Sequence, residues 1–128
     1  QFAVPADVFV PAYTSDQVTP ARAEQLRCRA ILEVANGPVA DAAEPLLAGR
    51  GVVIIPDLVA NAGGIIASHL EWRYGATATP LPADAASIHA EVKARMAAAV
   101  EIMVAKAHGS GLSLVDAAYA LALERLSE

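Results

Sequence analysis

The chain has 128 residues, 55% of them hydrophobic and 18% charged, with a net charge of −5 and a mean hydropathy of +0.42; this excludes a disordered segment and calls for a buried core of single-domain size. Thirty alanines against six aromatic residues favour closely packed helices over a β-sandwich. The basic residues gather in no stretch longer than 22–29, and the longest uncharged stretch, 58–70, contains Asn61, Gly63, Gly64 and Ser68, which argues against nucleic acid, an anionic membrane surface and a bilayer span.

Three β-branched runs, 7–10, 30–34 and 52–55, each stop at a Pro, Asn or Asp and read as buried parallel strands. Between the first two, Thr19 as N-cap and Pro20 at the first helical position predict a helix running through Leu26. Between the second and third, Asp41 as cap and Gly49 as stop predict a shorter helix, in which Pro45 on the fourth position removes only the first intrahelical bond. Strand, helix, strand, helix, strand is the α/β pattern with right-handed crossovers. From Asn61 to Trp72 the period is helical, and 75–82, with Thr77, Thr79, Pro80 and Pro82, reads as a linker. A long helix is expected after Asp84, with Ile88, Val92, Met96, Val100 and Met103 on one stripe and Gly109 as its end. Ser113 with Asp116 forms a capping box for a last helix from Leu114 to about Leu126, apolar on more than half its circumference and so expected to pack on two sides.

Three strands are few for an open parallel sheet. No three of the eight glycines fit the G-x-G-x-x-G spacing of a dinucleotide fold, so the chain reads as the second half of a sheet, with its first or second strand left as an edge. Cys28, the single cysteine, has no internal disulfide partner and reads as structural. No signal peptide opens the chain, and the reading is cytoplasmic.

Candidate chemistry collects where strands end. Asn36-Gly37-Pro38 closes the second strand and places a carboxamide at the carboxyl edge, where open α/β sheets bind ligands; spacing alone favours a β-turn using the backbone tolerance of Asn. Gly63 and Gly64 open a helix at a cost of roughly 1 kcal/mol each against alanine, which either close approach of a flat ligand or tight helix packing repays. Asn61 and Ser68 are two helical turns apart and would share a face, although a mid-helix serine also bonds its own carbonyl four residues back. His69, His89 and His108 have no metal spacing, and no metal site is expected.

The segments Asp7-Val8-Phe9-Val10-Pro11-Ala12, Glu33-Val34-Ala35-Asn36-Gly37-Pro38, Arg50-Gly51-Val52-Val53-Ile54-Ile55-Pro56-Asp57 and Ala60-Asn61-Ala62-Gly63-Gly64-Ile65, with Ser68, Glu71-Trp72 and the stretch 117–125, resemble the Glu/Leu/Phe/Val dehydrogenase family. Asn36-Gly37-Pro38 and Ser68 with Glu71-Trp72 resemble its glutamate branch. The resemblance covers nearly the whole chain. It implies an α/β fold: the C-terminal half of a Rossmann-like parallel sheet of three strands over 1–74, a linker at 75–83, and a C-terminal helical segment at 84–128. It implies NAD or NADP as cofactor, Asn36 and Asn61 contacting the nicotinamide and its ribose beside Gly63 and Gly64, and Ser68 hydrogen-bonding the side-chain carboxylate of glutamate. The implied reaction is reversible oxidative deamination of glutamate to 2-oxoglutarate and ammonium in a homo-oligomer. Family members carry the catalytic lysine and aspartate elsewhere; the only lysines here, Lys93 and Lys106, fall outside any motif, so no catalytic residue is assigned and the chain alone is expected to be inactive. Val34, Tyr13 and Val39-Ala40 are bulkier than, or unlike, the family pattern near the expected cofactor edge, and Pro45 and the linker Tyr74 to Pro82 also depart from it. These changes leave a non-catalytic remnant or assembly domain of the same fold as the alternative.

Overall fold

The computed structural model describes residues 2–76 and 85–127. Its centre is a parallel sheet of β1 (Val8–Phe9), β2 (Ala30–Leu32) and β3 (Val53–Ile55), in the order β1-β2-β3. The expected three strands are present but shorter than their β-branched runs, and β2 is central, so the open edges are β1 and β3. Beyond Leu32 the backbone turns away, and the N–H groups of Val34 and Ala35 both donate to the Pro11 carbonyl.

The register aligns Phe9, Ile31 and Ile54 in one row and Val8, Ala30 and Val53 in the next, and successive residues of a strand face opposite ways. The first row enters the core. Two right-handed crossovers that step the same way across a sheet lie on the same face, and here both do: α1 (Pro20–Ala23) and α2 (Glu44–Gly49) bring Ala23 and Leu47 onto Ile31 and Ile54, with Val18, Leu26, Val39 and Ala43. The opposite row stays open, with Val8 48% and Val53 49% exposed.

Local chemistry corrects several boundaries. α1 stops at Ala23, and a turn in which Leu26 N–H reaches the Arg22 and Ala23 carbonyls completes the segment to 26. Thr19 does cap it, through its carbonyl and not its side chain. Asp41 lies inside a 3₁₀ turn, Asp41–Ala43, capped by Ala40, and α2 starts afresh at Glu44. This suits Pro45, which now stands in the first turn of α2, where an absent N–H costs no helical bond. Arg50, just after α2, donates to the Ala23 and Leu26 carbonyls and fastens both crossovers together. Arg50→Ala is expected to lower stability by about 2 kcal/mol, since each charged donor to a carbonyl contributes ~1.5–3 kcal/mol and the site is partly open to water; a denaturant melt with an unchanged midpoint would show that these bonds contribute nothing.

After β3 come α3 (Asp57–Ala60), α4 (Ala62–Ala76), α5 (Ala85–Ser110) and α6 (Leu114–Leu126). Gly75 and Ala76 belong to α4, while the rest of the expected linker and the Asp84 cap lie outside the described residues. α5 runs through Gly109; the stop is Gly111, whose φ of +67° provides the left-handed turn that Gly109 does not. The Ser113 box forms as expected: its Oγ accepts from Asp116 N–H at 3.0 Å and donates to the Asp116 carboxylate at 2.7 Å. A second cluster, Val59, Met103, Ala107, Ala117 and Ala118, joins α3, α5 and α6. Because Val115 lies in the sheet core, α6 does touch both clusters, but Tyr119, Leu123 and Leu126 remain exposed. Among the described residues no helix is long and apolar enough to cross a membrane.

Candidate functional site

The site lies at the carboxyl ends of β2 and β3. β2 delivers the loop 33–38, and Gly37, at φ +50°, makes the reversal there that a side chain would strain. Pro38 and Gly37 carbonyls accept from Val18 and Asp16 N–H groups, so the loop is held on the sheet side as well. β3 delivers Pro56 and then α3.

Asn61 corrects the expectation of one continuous helix face. It breaks the helix between α3 and α4, with φ −105° and ψ 4°, and its side chain turns back to the β2 loop. Its Nδ2 donates to Asn36 Oδ1 at 2.8 Å and to the Val34 carbonyl at 3.4 Å. Each carboxamide fixes the other: Asn36 keeps its NH₂ donors free, and Asn61 keeps its carbonyl oxygen. One donor and one acceptor therefore stand side by side at the sheet edge.

Asn36, Asn61, Gly64 and Ser68 line one open cavity of about 700 Å³, with Val34, Ile65, His69 and Trp72. Ser68 is exposed on α4, and no hydrogen bond among the described residues ties its hydroxyl to the backbone. His69 and Trp72 lean together, ring centroids 5.8 Å apart, and form an aromatic rim. Gly63 does not line this cavity. A Cβ there would meet Met96 Sδ at 3.2 Å and Val92 Cγ1 at 3.6 Å, whereas a Cβ on Gly64 would meet nothing within 4 Å. Adjacent glycines thus do different things: Gly63 lets α4 lie against α5, and Gly64 opens the cavity floor.

Of the departures from the family pattern among the described residues, Val34 alone lines the cavity. Tyr13 is 88% exposed and Val39 is buried in the sheet core. Among the described residues no group of His, Cys, Asp or Glu is arranged to hold a metal. Lys106 pairs with Glu124 on α6, away from the cavity.

Two acids that sequence reasoning passed over hold the loops. Asp57 accepts from Gly37 N–H at 2.8 Å and from Leu58 N–H at 2.6 Å. Glu33, 6% exposed and the buried charged residue of this core, accepts from Val39 N–H at 3.3 Å and from Asp57 N–H at 3.1 Å. Burial pushes its carboxyl above the ordinary glutamate value, against the pull of those two N–H groups, and the nearby Asp57 and Glu44 charges add to the rise. The signal was present: one acid within an otherwise apolar run, Ala30-Ile31-Leu32-Glu33-Val34-Ala35, demands partners.

A parallel sheet covered by helices, with polar side chains gathered at the carboxyl ends of its strands, is the arrangement in which open α/β domains bind their ligands. The sequence matches the Glutamate/Leucine/Phenylalanine/Valine dehydrogenase family over residues 1–128, and the chain belongs to that family. It is 36% identical over 126 residues to the NADP-specific glutamate dehydrogenase of Synechocystis, covering 98% of this chain and 29% of that protein. It is 37% identical over 123 residues to glutamate dehydrogenase A2 of Halobacterium salinarum, covering 95% and 29%. The hetero-hexameric glutamate dehydrogenase of Thermus thermophilus, in a Leu-bound form, superposes with a TM-score of 0.90 at 34% identity, covering 98% of this chain and 30% of that one. The chain thus spans about three-tenths of the length of these relatives.

Proposed function

We propose that this chain is the nicotinamide-facing and substrate-selecting part of an NAD- or NADP-dependent glutamate dehydrogenase, which converts glutamate reversibly to 2-oxoglutarate and ammonium. The observation that carries the reading is the convergence of Asn36, Asn61, Gly64 and Ser68 on one cavity. The cavity fits the flat end of such a cofactor: it has a floor without a side chain at Gly64 and a donor and an acceptor fixed side by side for a carboxamide and a ribose hydroxyl. When bound there, the nicotinamide ring supplies the hydride acceptor. Asn36 and Asn61 hold its polar edge, Val34 narrows the pocket beside it, and Ser68, two turns along α4, donates to the substrate's distal carboxylate. Gly63 serves the site indirectly, by seating α4 on α5.

NAD- and NADP-specific glutamate dehydrogenases both occur among the relatives, and among the described residues no Asp, Glu, Lys or Arg lines this cavity to read the adenosine ribose at which the two cofactors differ. The small-molecule substrate, a homo-oligomeric assembly and a cytoplasmic location belong to the same proposal. The 128 residues contain neither the G-x-G-x-x-G turn nor a lysine in the cavity, so on their own they are expected to give no glutamate-dependent change in NADH or NADPH absorbance, while the natural full-length protein gives a robust one. Turnover by these residues alone would refute the division of labour. A full-length protein that binds NADH or NADPH without turning over glutamate would instead support the non-catalytic alternative.

A further inference from the structure

We infer that Glu33 is the positioning residue of this site: its carboxylate spans the ends of β2 and β3 and sets Asn36 against Asn61 only while it is ionised. The inference rests on the cofactor reading above for its consequence, but its geometry stands independently. Oε1 takes the N–H of Val39, just past the Asn36 loop, and Oε2 takes the N–H of Asp57, the first residue of α3. Asp57 then takes the N–H of Gly37. The loop carrying Asn36 and the helix leading to Asn61 are thus joined through two carboxylates in series, and the Asn61–Asn36 bond closes the ring. Among the described residues no cation lines the cleft around Glu33; the titratable groups facing it are Asp41 in the 3₁₀ turn, Glu44 on α2, Asp57 on α3, and Asp116 and Tyr119 on α6.

Both oxygens act as acceptors, and a protonated carboxyl has only one good acceptor oxygen. Its O–H would oppose one of the two N–H donors and leave that amide unpaired in a buried place. The ionised form is therefore the one that fastens the loops. Stability runs the other way. Because the folded carboxyl titrates above its unfolded value, the folded chain holds this proton more tightly, so this group's stabilisation is full below the unfolded value and is lost as pH rises through the folded one. Positioning is complete above the folded value and is lost below it. A residue that only held the fold together would move both quantities in the same direction.

The test uses the natural full-length protein and Glu33→Gln, with NADH and NADPH titrated by fluorescence across pH and amide hydrogen exchange followed at Val39, Gly37 and Asp57. The substituted carboxamide would present an NH₂ to one of the amides. The expected result is a cofactor Kd raised about 10- to 150-fold at neutral pH, the loss typical of one charge-assisted hydrogen bond. The acid-side fall in affinity expected of the wild-type protein should be absent from the variant, and exchange at Val39 and Asp57 should accelerate while Ile31 stays protected. Should the variant fail to fold, the wild-type protein alone decides the matter: after correction for intrinsic exchange, Val39 and Asp57 must lose protection on acidification before the melting midpoint falls. Unchanged Kd, pH profile and exchange in Glu33→Gln would overturn the inference. If the wild-type protein binds neither cofactor, the cofactor reading fails, and the exchange data still show whether Glu33 fastens the loops.

Discussion

Ser68→Ala in the natural full-length protein is expected to lower kcat/KM for glutamate by about 10- to 150-fold, the equivalent of the ~1.5–3 kcal/mol that a hydrogen bond to a charged group contributes. The hydroxyl opens on the cavity from the second turn of α4, and alanine is the better helix former, so the fold should not suffer. The loss should therefore be selective. Short apolar amino acids, which bring no distal carboxylate, should keep their kcat/KM within about two-fold, since exposed substitutions away from a contact shift energies by only ~0.5 kcal/mol. Steady-state kinetics on glutamate and on alanine or norvaline would measure both, and an equal loss on all substrates would make Ser68 a structural residue.

Gly64→Ala is expected to separate stability from binding. Inside α4, alanine exceeds glycine by roughly 1 kcal/mol, which for a domain of this size corresponds to a melting midpoint raised by about 2–6 °C. Apart from its chain neighbours and its own helix backbone, no atom of the described residues stands within 4 Å of the new methyl, so the helix gains without strain. The methyl points into the cavity, where overpacking against a ring costs ~1–3 kcal/mol and should raise the Kd for NADH or NADPH about 5- to 150-fold. Calorimetry and fluorescence titration on the same sample would show both shifts. A stabilised protein with unaltered affinity would mean that the nicotinamide lies elsewhere. Gly63→Ala is the control: its methyl meets the flexible end of Met96 at 3.2 Å, so its effect should fall on the α4–α5 contact and hardly on the cofactor.

The contrast between those two glycines shows what was legible in the sequence. Runs such as Val52-Val53-Ile54-Ile55 announce a buried strand because the residue types and their Pro56 stop are local, and the parallel order follows from the alternation with helices. The capping box at Ser113 was equally local. Gly63 and Gly64, by contrast, differ by one step of about 100° around a helix, and only the arrival of Met96 from another helix distinguishes them. Gly109 and Gly111 are also alike on paper; the helix ends at whichever adopts positive φ. Asn36, Asn61 and Ser68 were assigned roles through the family resemblance, and the structure adds that they open on one cavity. Glu33 stood out as one acid in an apolar run, but its partners Val39 and Asp57, 6 and 24 residues away, could not be read from that run.

The break at Asn61 divides the site between two carriers. Asn36 and Asn61 are tied to the strand ends by the Glu33 and Asp57 bonds, whereas Ser68 travels on α4, whose seat is the Gly63 contact with Val92 and Met96 of α5. Side-chain volume at two positions of α5 that do not line the cavity therefore sets how far α4, with Ser68 and the Gly64 floor, stands from the paired carboxamides. Exchanging Val92 or Met96 for larger or smaller residues would reshape the cavity from behind the helix, with Asn36 and Asn61 still tied to the strand ends.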